Sequence, residues 1–168
     1  MPQPVSSTYK ILKEKSCNAD IHSGWIDWAM EMIQAGFEVE SLYELAGITV
    51  PYNQFELHDL TNRVLDDLNL DYSNKEKVLE DYAYYLISSH IEHKDQYSSV
   101  LKDLVEIYDE LNMAEEYQNF ADLYWAKMDL ETSDVQWYWP SANKENIDNI
   151  IKEQFELWLK KLTNLKSK

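Results

Sequence analysis

The scarcity of glycine and proline constrains the fold of this chain more than any other feature. Its 168 residues include only three Gly and four Pro, and two of the prolines lie in the opening MPQP. An all-β chain of this length needs many tight turns, which those two residues usually supply. The composition therefore favours helices.

Apolar residues recur at helical spacing along most of the chain. The segment SSTYKILKEK predicts a short helix. The segment SGWIDWAMEMIQAGF predicts a second one that ends at Gly36 and has on one face Trp25, Trp28, Ala29, Met32 and Ile33. Three N-cap candidates, Ser41, Asn53 and Ser73, each have a glutamate three positions on, which is the capping-box pattern. These signals predict several consecutive helices with short connections.

A helical hairpin is predicted after Gln96, where apolar residues follow two helical stripes separated by a short turn at Leu111 and Asn112. The second stripe comprises Met113, Tyr117, Phe120, Tyr124 and Met128. A last helix is expected to start near Ser141 or Asn143. The sequence thus predicts an all-α, single-domain bundle of about six to eight helices with antiparallel helical hairpins.

The expected domain limits follow from length and polarity. A chain of this size fits one core, so residues 21–164 are predicted to form a single helical domain. Residues 1–20 are expected to be a polar, partly mobile N-terminal segment, and residues 165–168 a frayed C-terminus.

The charge is strongly negative and unevenly placed. The formal net charge is −16; residues 38–71 carry eight acids and one arginine, whereas residues 95–135 carry eleven acids and two lysines. Residues 136–168 instead carry six lysines and four acids. Nucleic-acid binding depends on neutralising phosphates with cations, so this balance argues against direct nucleic-acid binding and favours a basic protein partner.

Compartment signals indicate a cytoplasmic protein. Cys17 is the single cysteine and has no partner for an internal disulfide. No apolar run approaches the roughly 18 residues that span a bilayer, and the N-terminus lacks the apolar region of a signal peptide. We therefore expect no membrane association, while homo-oligomerisation stays open.

Catalytic and cofactor motifs are missing from the sequence. It has no GxSxG, no HExxH and no glycine-rich phosphate loop. His90 and His93 lie one helical turn apart with Glu92 between them, but the Glu-x-x-His spacing of di-metal helical bundles is absent. We expect no catalytic residue, cofactor or metal; an enzyme that uses His58, His90 or His93 with a carboxylate stays open as an alternative.

The aromatic stretch QWYWP, residues 136–140, is costly to expose. If the stretch is extended, Trp137 and Trp139 share one side and Tyr138 faces the other. Trp139 and Pro140 are expected to dock the connector onto the bundle, which leaves Tyr138 as the residue best placed to meet a partner. The other tryptophans, Trp125 among them, fall at core spacing.

Three stretches, WIDWAMEMIQAGFEVESLYELAGIT, YWAKMDL and NIDNIIKEQFELWL, resemble small acidic helical bacterial proteins that are grouped with the immunity proteins of toxin–immunity pairs. The resemblance implies a stoichiometric inhibitor of a cognate toxin domain. An acidic adaptor or nucleic-acid mimic that inhibits a DNA-binding protein is the second hypothesis. The candidate partner-binding residues are Glu38, Glu40, Glu44, Asp66, Asp67, Asp109, Glu110, Glu115, Glu116 and Tyr138.

Overall fold

The fold is built from helices alone, as the sequence predicts. A computed structural model describes all 168 residues, Met1 to Lys168, and contains no strand. Two 3₁₀ turns, Lys94–Gln96 and Glu115–Tyr117, precede the sixth and seventh helices. The helices are α1 (Thr8–Ser16), α2 (Ser23–Gln34), α3 (Glu40–Ala46), α4 (Gln54–Asp67), α5 (Lys75–His90), α6 (Tyr97–Glu110), α7 (Gln118–Thr132) and α8 (Ile147–Lys166).

The chain forms two compact units, Met1–Tyr82 and Ala83–Lys168, and α5 runs across the boundary between them. The predicted limits at residues 20 and 164 stay predictions.

The first unit packs α2 against α3 and α3 against α4 around two fully buried tryptophans, Trp25 and Trp28. Their rings meet edge to face with centroids 5.9 Å apart, an arrangement that aromatic quadrupoles favour. The remaining buried members of this core are Ile11, Ile21, Ile26, Ala29, Met32, Leu42, Leu45, Leu57, Leu60, Val64 and Leu65.

Helix α1 is held to the first unit by buried polar side chains. The indole N–H of Trp25 donates to the Glu14 carboxylate at 2.9 Å, and the Lys15 ammonium donates to the Thr61 hydroxyl at 2.9 Å. Both Glu14 and Lys15 are buried. The short helix predicted near the N-terminus is therefore present, and its charged residues are part of the packing; the mobility expected of residues 1–20 stays a prediction.

The second unit is organised by the α6–α7 hairpin, which the sequence predicts, with α8 packed on α7. Phe155 of α8 lies at the centre, its ring 5.3 Å from that of Tyr97 and 5.6 Å from that of Phe120. These contacts join the first residue of α6 and the first turn of α7 to the middle of α8.

The predicted buried stripe of the second hairpin helix is wrong in part. Tyr117 and Phe120 are buried, but Met113 and Met128 are exposed, and so is Trp125, which was expected in the core. The buried face of α7 turns instead toward the small and branched residues Ala121, Leu123, Ala126 and Leu130. Small residues let α7 approach its neighbours closely, which the spacing of large side chains alone does not reveal.

Two of the sequence's local signals are confirmed. Asn53 caps α4, since its side-chain oxygen accepts from the N–H groups of Phe55 and Glu56. Gly36 follows the end of α2 with a φ of 101°, a left-handed conformation that favours glycine.

Two predicted caps are wrong. Ser41 lies inside α3, where its hydroxyl donates to Asp67 of α4 at 2.6 Å instead of capping its own helix. At the start of α5, the Asn74 side chain accepts from the N–H of Lys77, one position after the predicted Ser73. Competing hydrogen-bond partners decide both cases, because a short polar side chain binds whichever group is nearest.

Candidate partner-binding surface

Five of the predicted acids belong to the first unit and lie on or beside α3 and α4. All five are exposed. Two of them join the helices: Glu44 pairs with Arg63 at 3.0 Å, and Asp67 accepts the Ser41 hydroxyl. Glu38, Glu40 and Asp66 are the other three. The structure thus gathers these acids on two neighbouring helices, with Arg63 as the one cation of this stretch.

Four further predicted acids lie at the tip of the α6–α7 hairpin in the second unit. Asp109 and Glu110 form the last two residues of α6, and Glu115 and Glu116 begin the 3₁₀ turn that leads into α7. All four are exposed. The hairpin tip, defined here as residues 109–116, contains no cationic side chain.

The backbone of the hairpin tip is unusual between these acids. Asn112 and Met113 both have positive φ angles, 54° and 61°. Asparagine enters this left-handed region readily, whereas methionine does so at a cost. The Met113 side chain is 68% exposed, so an exposed apolar residue lies between the two acidic pairs in the sequence of the tip.

The acids at helix C-termini oppose the helix dipole. The last turns of α4 and α6 carry Asp66, Asp67, Asp109 and Glu110, and neither turn has a basic residue. The C-terminal end of a helix bears partial negative charge, so a carboxylate there is unfavourable by about 0.3–1 kcal/mol where exposed. Such placement weakens the isolated protein and favours the approach of a cation.

The QWYWP segment lies in a 14-residue loop, residues 133–146, whose shape is set by Gln136. The Gln136 side chain accepts from the N–H of Trp139 at 2.8 Å and donates to the carbonyls of Trp139 and Ala142. Three hydrogen bonds from one side chain thus fold residues 136–142 into a compact turn.

The remainder of this loop is also hydrogen-bonded. The Asn143 side chain accepts from the N–H groups of Glu145 and Asn146, which delays the start of α8 to Ile147 rather than the predicted Ser141 or Asn143. Lys144 pairs with Asp134 at 2.7 Å across the loop. The hydrogen bond from the Lys144 ammonium holds the pKa of Asp134 below its usual value.

The loop presents Trp137 outward. The segment bends at Trp137, Tyr138 and Trp139 instead of running extended, so the two tryptophans do not share one environment. Trp137 is 87% exposed and Tyr138 48% exposed, whereas Trp139 is half-buried and Pro140 is exposed. Sequence reasoning singled out Tyr138 and missed Trp137; the amide of Gln136, which bends the segment, is the signal that distinguishes them.

The hairpin tip and the loop of residues 133–146, called the aromatic loop from here on, lie at opposite ends of α7. Its 15 residues, Gln118–Thr132, span about 22 Å at 1.5 Å per residue. The predicted residues therefore fall into three groups: the α3–α4 acids, the hairpin tip and Tyr138 in the loop. In the second unit, Tyr138 does not join the tip acids in one compact site.

The histidines have separate environments. The side chain of His22 contacts Glu14 at 3.0 Å and caps α2, and His58 lies beside Lys15 in the same unit. In the other unit, His90 donates to the Leu86 carbonyl, while His93 is exposed. No group of three or more His, Cys, Asp or Glu is arranged to hold a metal ion. A shallow depression on the last turns of α8 is bordered by lysines and leucines, without a histidine.

Comparison with protein-family models, curated proteins and solved structures yields no match to this chain. None of its helices combines the length and apolar character needed to cross a membrane.

Proposed function

We propose that this chain is a non-catalytic binding protein that neutralises a basic protein partner, as an immunity protein neutralises its cognate toxin domain in the cytoplasm of a bacterial cell. The observation that carries the proposal is the placement of carboxylates in the last turns of α4 and α6, neither of which contains a basic residue. The likeness of three sequence stretches to immunity proteins supports the same function.

The positions of the acidic residues support this proposal more than their number does. Exposed acids keep any protein in solution, but acids selected only for that purpose gain stability at helix N-termini and lose it at C-termini. Asp66, Asp67, Asp109 and Glu110 all occupy the unfavourable end. A protein commonly breaks a local stability rule where function requires it, and a cationic partner would satisfy these carbonyl ends and carboxylates together.

Complementary charge also suits the kinetics of neutralisation. An acidic surface steers a basic partner into encounter and raises the association rate above that of uncharged surfaces. Nuclease-type toxin domains are basic because their substrate is a polyanion. The proposed partner class is therefore a basic toxin domain, bound stoichiometrically and without turnover.

Affinity capture tests this function. The tagged protein is incubated with lysate of the source organism at low and moderate salt, and retained proteins are identified by mass spectrometry. We expect one basic protein that binds the purified chain. Its affinity should fall when the chain carries the double change Asp109→Lys and Glu110→Lys. It should be toxic to cells when the chain is absent. Retention of several unrelated DNA-binding proteins that duplex DNA displaces would instead establish the nucleic-acid mimic. Failure to retain any basic protein would contradict both the immunity function and the mimic.

A further inference from the structure

We propose that Trp137 is the apolar anchor of the partner interface, entering an apolar pocket whose rim carries lysine or arginine side chains. The inference rests on the proposed function, because the pocket is assigned to the same basic partner. It adds a second surface to the acidic one, at the opposite end of α7 from the hairpin tip.

The fold does not depend on the indole of Trp137. Its side chain is 87% exposed, whereas Trp139, two residues on, is half-buried. The hydrogen bonds of Gln136 run to Trp139 and Ala142 and none involves the Trp137 side chain. The loop would therefore keep its shape with a small residue at position 137, and the indole contributes little to folding.

The second step is that the loop is preorganised. Gln136, Asn143 and the Asp134–Lys144 pair hold it by hydrogen bonds and an ion pair along its length. A side chain on a fixed backbone loses little conformational entropy on binding, and tryptophan is among the residues most enriched at energetic hot spots. Tyr138 and Val135, both exposed, widen the apolar surface beside it.

The third step identifies the rim of the pocket by charge. The end of α7 and the loop that follows it, residues 128–146, contain four acids and one lysine, Lys144, which pairs with Asp134. Glu131 and Glu145 are exposed. A pocket that receives Trp137 is thus flanked by carboxylates on this side, and cationic side chains around its edge match them. An acidic or uncharged pocket would leave those carboxylates facing like charge or losing water without compensation.

The test uses the basic protein that affinity capture retains, produced separately and purified. Its dissociation constant is measured by titration calorimetry against the wild-type chain, Trp137→Ala and the matched control Phe55→Ala. Phe55 is 79% exposed on α4 and lies in the other unit, so it controls for loss of a generic exposed aromatic ring. Neither substitution is expected to change the thermal midpoint, because neither side chain is packed.

We expect Trp137→Ala to weaken binding about tenfold or more at every salt concentration, and Phe55→Ala to leave it unchanged. The Asp109→Lys and Glu110→Lys double change should instead lose affinity in a salt-dependent manner. Unchanged affinity of Trp137→Ala for a captured basic partner would overturn the anchor and leave the proposed function standing. Failure to capture a basic partner would overturn both.

Discussion

The side-chain amide of Gln136 brackets the backbone of Trp139, accepting from its N–H at 2.8 Å and donating to its carbonyl. The same nitrogen also donates to the carbonyl of Ala142 at 3.0 Å. One side chain thus determines how the aromatic loop presents Trp137, and the loop's order depends on it.

Gln136→Ala should loosen this loop. Removing three hydrogen bonds that are partly shielded from water is expected to lower the free energy of unfolding by about 1–2 kcal/mol and to accelerate hydrogen exchange at the Trp139 amide. Chemical denaturation and exchange mass spectrometry measure the two effects. Gln34→Ala, at an exposed helix end, is the control; equal exchange at Trp139 in both variants would contradict the pinning role.

Asp109→Asn should stabilise the protein. It removes a negative charge from the last turn of α6, where the carboxylate opposes the helix dipole, so the free energy of unfolding should rise by about 0.3–1 kcal/mol. Glu115→Gln is the matched control, because Glu115 lies in the turn that leads into the N-terminus of α7, where negative charge is favourable. Denaturation at low salt compares the two, and a gain for Glu115→Gln that equals that for Asp109→Asn would show that net charge alone, not position, is responsible.

Glu14→Ala should be strongly destabilising. The substitution leaves the buried Trp25 indole N–H without the acceptor it has at 2.9 Å, which costs about 2–3 kcal/mol. Glu31→Ala is the control, since Glu31 is exposed and accepts a hydrogen bond from Ser7. Denaturant midpoints measure both. A small loss for Glu14→Ala would mean that α1 contributes little to the first unit.

The burial of Lys15 should make the stability of the protein depend on pH. Burial lowers the pKa of its ammonium, against the opposing influence of Asp59 and Asp66. Between the lowered pKa of the folded state and the ordinary lysine pKa of 10.5, the unfolded chain binds more protons, so this group makes stability rise with pH in that window.

Wild type should therefore gain stability relative to Lys15→Met as the pH is raised from neutral toward that value. Denaturation of both proteins across the alkaline range gives the difference, and Lys10→Met supplies the baseline because Lys10 is exposed on the same helix. A wild-type free energy of unfolding that falls relative to that of Lys15→Met as the pH rises would contradict the burial of the charged ammonium.

The fold class could be predicted because the signals for it are local. Apolar periodicity and helix caps act within a few positions of the chain, and the structure confirms the all-helical class and the Asn53 cap. Ser41 could not be placed correctly, because its hydroxyl binds Asp67, a residue brought close only by the packing of α3 on α4. The exposure of Trp125 likewise depends on which face of α7 its neighbours cover.

The candidate surface was predictable in composition and not in arrangement. Each nominated acid is exposed, as charge patterning indicates. The predicted turn at Leu111 and Asn112 places Asp109 and Glu110 at a helix end. The sequence did not show that Asp66 and Asp67 also end a helix, because helix boundaries are the least certain part of such a prediction. It also favoured Tyr138 over Trp137, since the bend made by Gln136 was not anticipated.

The most direct test of electrostatic recognition is the association rate constant of the wild-type chain with its captured, purified basic partner, measured by stopped flow over a series of sodium chloride concentrations. We expect a rate constant that falls steeply as salt screens the carboxylates, with a shallower fall for the Asp109→Lys and Glu110→Lys double change. A wild-type rate constant that does not vary with salt would contradict it.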